Sequence, residues 1–257
     1  MKHPRKAVFL GLVVLVGLAA AAAPALADVT MKQKVHTGAF QMMGQSQPEK
    51  DEIMVFWMAS NKARTDSESG ATSMLFLTDK KVLYMIDHAK KTYAEIPLDF
   101  GKMLGQAAAQ AGGGGEEQAN QAAEMMKGMF GNMSAKVTET SETKKIGSWN
   151  CRKYLIDIDM GMGKTQSEAW TTEDIKVDYG MAFTMANAMM AGMPGFDKIV
   201  AEMKKLKGVV VYQTSKVNMM GAEVVSTTEL LECTEKTAPA GTYDLPGGYK
   251  KVQGFGQ

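Results

Sequence analysis

The sequence is poor in the residues that most often mark a chemical site. Of its 257 residues only two are cysteine, three histidine and seven proline, and aromatic residues make up 7%. So few cysteines exclude a disulfide-dense scaffold and a four-cysteine zinc centre. Cys151 and Cys233 stand far apart, and neither belongs to a C-x-x-C pair. No H-E-x-x-H helix and no G-x-S-x-G elbow is present, so zinc-protease and serine-hydrolase chemistry have no motif to stand on. An excess of one charge is lacking too. Lys+Arg number 29 and Asp+Glu 28, a net +1 that leaves no electrostatic footprint for nucleic acid.

Two motif fragments fail on inspection. Gly163-Lys164-Thr165 copies the end of a phosphate-binding loop, but Ile158 occupies the position where that loop needs its first glycine. A hairpin turn is the expectation there. Paired carboxylates (Asp51 and Glu52, Glu116 and Glu117, Asp157 and Asp159) read as solvated strand or helix surface, because acid–base work needs them held in a cleft. An enzyme is not expected, nor a cofactor or a metal.

The N-terminus carries a clear pattern. Lys2, Arg5 and Lys6 precede an apolar run over 8–23, and Ala25-Leu26-Ala27 forms an A-x-A box. This predicts a secretory signal peptide over residues 1–27, cleaved after Ala27. Cleavage takes Lys+Arg from 29 to 26 against 28 Asp+Glu, a net −2. No later run is apolar and long enough to span a bilayer, so the mature chain is expected in the periplasm or outside, with no stable membrane anchor. In an oxidising compartment the even cysteine count predicts a Cys151–Cys233 bridge, with two buried thiols as the alternative.

Residues 28–96 alternate and turn like strands. In "DEIMVFWMAS" Ile53, Val55 and Trp57 fall on one side and Met54, Phe56 and Met58 on the other. "TSMLFLTDKKVLYMIDHAKKTYAEI" predicts three strands joined at Asp79-Lys80-Lys81 and Asp87-His88-Ala89-Lys90. Further strands are expected after Ser134 and after Gly208. Between them lie segments of helical character, near 97–134 and 180–206. Phe196, Ile199, Val200, Met203 and Leu206 match the apolar spacing of a helix.

Methionine is abundant, at 23 residues. Met125, Met126, Met129 and Phe130 share one helical face, and Met181, Met185, Met189 and Met193 fan across another. Thioethers suit Cu(I), but these lie along broad stripes and do not converge on a point. Part of the set is ordinary core. The rest fits an adaptable apolar surface, since Met repacks around varied partners. The candidate ligand-binding residues are therefore these eight, with Phe56, Trp57 and Met85 as the facing sheet wall.

Four strings carry a resemblance: "SMLFLTDKKVLYMIDHAKKTYAEI", "SETKKIGSWNCRKY", "EAWTTEDI" and "PAGTYDLPGGYKKV". They resemble a secreted bacterial family known only as a domain of unknown function. The strand pattern is similar to the LolA/LolB/LppX group of periplasmic lipoprotein and lipid carriers. The resemblance implies one LolA-like domain over 28–257. Its fold would be α+β, mainly β: a strongly curved antiparallel sheet, an unclosed half-barrel, with helices over the concave face. It further implies a carrier for a lipid or lipoprotein acyl chain that works without a cofactor. Two alternatives are a structural or interaction protein of the envelope with a protein partner, and a soft-metal binder.

Overall fold

The computed structural model describes residues 28–42, 45–98, 128, 133–161, 163–177, 195–219 and 221–252. Strand-forming residues dominate it. Five elements open the chain: β1 (Val29–Thr37), the short β2 (Phe40–Met42) and β3 (Gln45–Gln47), β4 (Lys50–Ala59) and β5 (Lys62–Ser67). β6 (Thr72–Leu77), β7 (Val82–Asp87) and β8 (Thr92–Pro97) follow as a meander. β9 (Ser134–Ile146), β10 (Trp149–Asp159) and β11 (Gly163–Thr172) precede helix α1 (Phe196–Met203). β12 (Val209–Met219), β13 (Ala222–Glu235) and β14 (Lys250–Val252) complete the chain.

Twelve of these strands form one sheet, ordered β14-β8-β7-β6-β5-β4-β1-β13-β12-β11-β10-β9. Every pairing is antiparallel except that of β14 with β8. The turns follow the sequence. Asp79 Oδ1 accepts the Lys80 N–H and Asp87 Oδ1 the Lys90 N–H, each at 2.9 Å, and the hairpins close through Lys81 and Lys91 at φ 51° and 52°. The Gly-Lys-Thr string enters β11 from a tight hairpin, where the Met160 N–H donates to the Gly163 carbonyl at 2.9 Å.

The half-barrel expectation is overturned. The sheet is neither closed nor curled, and α1 is the one helix with defined bounds among the described residues. The reason lies at the edges. Closure would require β9 to meet β8, but β14 occupies the β8 edge through the register Lys250↔Thr92 to Val252↔Ala94. At the other end the Val137 N–H of β9 donates to Glu202 Oε2 of α1 at 3.0 Å. Among the described residues the only helix lying against the sheet is α1. α1 buries Ile199 and Val200, and Met203 and Leu206 pack on Val137, Tyr154, Ile156 and Ala169 near β9. The helix expected from Phe196 is present but ends at Met203, with Leu206 beyond it. The methionine stripes expected over the sheet (Met125, Met126, Met129 and Phe130, then Met181, Met185, Met189 and Met193) lie outside the described residues.

The core comprises several patches. One joins Val29, Met31, Cys151, Trp170, Val209, Val211 and Leu230 at the middle of the sheet. A second gathers Leu75, Leu77, Val82 and Ile86 on the meander. Each fully buried side chain of this kind contributes about 1.5–3 kcal/mol, which makes the meander patch a principal hold on β6–β7.

Candidate functional site

The meander strands keep one unbroken register from β1 to β8, so the side of each residue follows from period two. Met31, Phe56, Thr65, Met74, Met85 and Ala94 are directly opposed in one row across six strands. The adjacent row on the same side reads Val29, Met58, Ala63, Phe76, Leu83 and Ile96. This is a methionine face. Met54, Met74, Phe76, Leu83, Met85 and Ile96 are half-buried, and none joins a buried cluster among the described residues.

The opposite side carries Thr30, Trp57, Arg64, Leu75, Tyr84 and Glu95 in one row and Lys32, Val55, Asp66, Ser73, Ile86 and Tyr93 in the next. Residues 236–252 run across it as a strap. Lys236 N–H donates to the Asp28 carbonyl at 2.9 Å, and Ala238 N–H to Asp28 Oδ2 at 3.0 Å. Tyr243, Leu245 and Tyr249 then pack on the buried meander cluster. Lys250 N–H reaches the Lys91 carbonyl at 3.0 Å, and Lys251 Nζ meets Glu95 Oε2 at 2.7 Å.

Beneath the strap lies a polar network that resembles catalytic machinery at first sight. Ser73 Oγ is 2.6 Å from His88 Nε2, and His88 Nδ1 is 2.9 Å from the Tyr249 hydroxyl. Arg64 Nε donates to both Asp66 oxygens at 2.7 and 2.9 Å, and its other nitrogens reach Ser73 Oγ at 3.0 Å and the Thr242 carbonyl at 3.3 Å. The single Ser73 proton goes to Asp66 Oδ1, 2.5 Å away. His88 Nε2 must then donate to Ser73. A histidine that already donates to the serine cannot remove its proton, and Ser73 is only 3% exposed. The network fixes the strap to the sheet; it does not activate a nucleophile.

No protein-family model matches the chain, and no curated protein matches it. The site is therefore assigned by geometry alone.

Phe56 and Met85 stand in the same row of the methionine face. Trp57 does not join them. It lies under the strap, with Lys236 Nζ 5.1 Å from its ring, and lines a cavity of about 520 Å³ with Arg64 and Asp66. The candidate set thus mixed two sides of β4, although the alternation itself was visible. Met125, Met126, Met129, Phe130, Met181, Met185, Met189 and Met193 lie outside the described residues. Met133, next to the first stripe, is buried with Ile199 beneath α1.

The expected disulfide is not formed. Cys151 and Cys233 are free thiols. They sit on β10 and β13, with β11 and β12 between them. Three strand spacings amount to roughly 14 Å, twice the reach of a disulfide between Cα atoms. Burial pushes the Cys233 thiol up to about 11 and raises Cys151 as well. Among the described residues no group of three or more His, Cys, Asp or Glu side chains gathers as a metal site.

Sequence reasoning missed Met54, Met74, Phe76, Leu83 and Ile96 as one surface. Their signal is the period-two alternation in "TSMLFL" and "VLYMID", once the hairpin register is known. It also missed the Arg64–Asp66–Ser73–His88–Tyr249 network, whose members are dispersed over 186 positions of chain from Arg64 to Tyr249 and share no local motif.

Proposed function

We propose that the protein binds a long acyl chain, from a lipid or a lipoprotein, on the methionine face of β4–β8, and does so in the periplasm after loss of residues 1–27. One observation carries the reading: Met54, Met74, Phe76, Leu83, Met85 and Ile96 lie half-buried on one side of the sheet and join no buried cluster among the described residues. The strap supports it by sealing the opposite side, which leaves the methionine face as the apolar surface of the meander. Thioether side chains are unbranched and polarisable, and accommodate chains of differing length and saturation. No proton transfer or covalent step is required, in keeping with a carrier.

Native mass spectrometry of gently purified mature protein, followed by lipid extraction, tests the proposal. Bound acyl lipid is expected. The pair Met74→Lys and Met85→Lys should abolish it, because two ammoniums would have to enter an apolar contact. The pair Met74→Leu and Met85→Leu, similar in volume, should retain it and serves as the folding control. An apo mass for the wild type, with no uptake of fluorescent fatty acid, would refute the reading.

A further inference from the structure

Sulfur is distributed unevenly in this chain. It holds 23 methionines against two cysteines. Both cysteines are poor targets for an oxidant. Cys151 is buried and Cys233 half-buried, and burial raises both thiols, so little of either is reactive thiolate near neutral pH. A thioether has no proton to lose, so access governs its attack.

Among the described residues methionine occurs in three settings. Met31 and Met133 are covered, at 6% and 1% exposure. Met58, Met160 and Met203 are partly covered and pack against buried clusters. Met54, Met74 and Met85 are half-buried and join no such cluster. Register brings these last three together. Met74 stands directly opposite Met85. Met54 opposes Ser67, two residues along β5 from the Thr65 that opposes Met74. All three therefore point to one side of the sheet. Directly opposed side chains lie roughly 5 Å apart at Cβ, so the Met74 and Met85 thioethers adjoin. Phe56, Phe76 and Leu83 occupy neighbouring positions on that side.

We propose that Met54, Met74 and Met85 form an oxidation site, at which a two-electron oxidant of the peroxide or hypohalous acid class switches off apolar binding. Each event is an oxygen-atom transfer. With hydrogen peroxide, a sulfur lone pair attacks one oxygen, and the S–O bond forms as the O–O bond breaks. The leaving hydroxide takes the proton from the new S–OH group and departs as water. Sulfur loses two electrons, peroxide gains them, and thioether plus peroxide becomes sulfoxide plus water. The product is a polar, chiral side chain where an apolar one stood. On contact with an acyl chain the sulfoxide oxygens would surrender water beside Phe56, Phe76 and Leu83, which offer no donor in return, and this opposes the contact. The effect on the ligand rests on acyl-chain binding to this face; the pattern of oxidation does not.

Folded mature protein is treated with limiting hydrogen peroxide, quenched, and digested for peptide mass spectrometry. Met54, Met74 and Met85 are expected to gain one oxygen about tenfold or more faster than Met31 and Met133. Affinity for a fluorescent fatty acid should then weaken about tenfold or more. M54L/M74L/M85L, which keeps apolar volume, should bind before the treatment and bind equally after it. Fatty acid bound beforehand should slow oxidation of Met74 and Met85. An untreated wild type that takes up no fatty acid removes acyl-chain binding and the switch with it. Given normal uptake, four results overturn the switch alone: oxidation spread evenly over covered and half-buried methionines, affinity unchanged by oxidation, a triple-leucine variant that peroxide still inactivates, or no shielding by bound fatty acid.

Discussion

Cys151 and Cys233 show how far position outweighs composition at the scale of one residue. Both belong to the patch around Val29, Trp170 and Val211, yet two strands separate them. Because burial raises both thiols, the reactive thiolate is scarce near neutral pH. Folded protein purified without reductant is expected to react slowly with a thiol reagent at pH 8, and faster as pH approaches 11. The same sample should titrate two thiols in denaturant. A count of zero there would show that a bridge forms and that β10 and β13 are not placed as described. The cysteine pairing was illegible in the sequence for a simple reason. Parity of the count constrains a bridge only when the strand order lets the partners meet, and strand order is a non-local property.

At the scale of the element, backbone conformation decides more than side-chain chemistry. Gly208 opens β12 at φ +79°, and a Cβ there would lie 2.1 Å from the Thr172 carbonyl oxygen. That neighbour is backbone of β11 and cannot step aside without breaking the ladder. Gly208→Ala is therefore expected to cost about 3 kcal/mol and to lower Tm by roughly 10 °C in a thermal melt. Gly221 has the same conformation, φ +80°, with open space around it. Gly221→Ala should cost only about 1 kcal/mol, for the left-handed backbone alone. Elements of this kind were the legible part of the fold. The hairpins at Asp79 and Asp87 follow from turn chemistry, and α1 from the spacing of Phe196, Ile199, Val200 and Met203. Which side of β4 served which purpose was not legible, because Ile53 to Met58 are apolar on both sides and only the strap distinguishes them.

The whole molecule is an open sheet, and an open sheet has two edges that invite pairing with other chains. One is β14, only three residues long. The other, β9, is guarded by its bulge, by lysines and glutamates along its length, and by Glu202, which takes the Val137 N–H. Lys205 and that N–H hold the Glu202 carboxyl below its ordinary value. Arg152 and the Asn150 backbone do the same for Glu139 and Asp174. A carboxyl depressed by folding stabilises the native state above its unfolded value, near pH 4, and that contribution fades as pH falls through the folded value. The urea midpoint is therefore expected to fall below about pH 4, as these carboxylates take up protons. Glu202→Ala should raise light scattering at pH 7, whereas Glu202→Gln, which keeps an acceptor oxygen, should not. Equal behaviour of the two variants would remove Glu202 from the edge's defence.

The place of β1 has a consequence in time. It is zipped between β4 and β13, so residues 29–37 pair with residues 226–235 from the opposite end of the chain. The strap, residues 236–252, arrives later still. A chain emerging from its N-terminus can assemble the β4–β8 meander early, through local contacts, but the loop that joins the two halves closes only when nearly all of the chain is out. Until then the strap side of the meander, with Leu75 and Ile86, stands bare. Folding of this sheet is thus split in time, with local hairpins of the meander first and the long-range seam at β1 last.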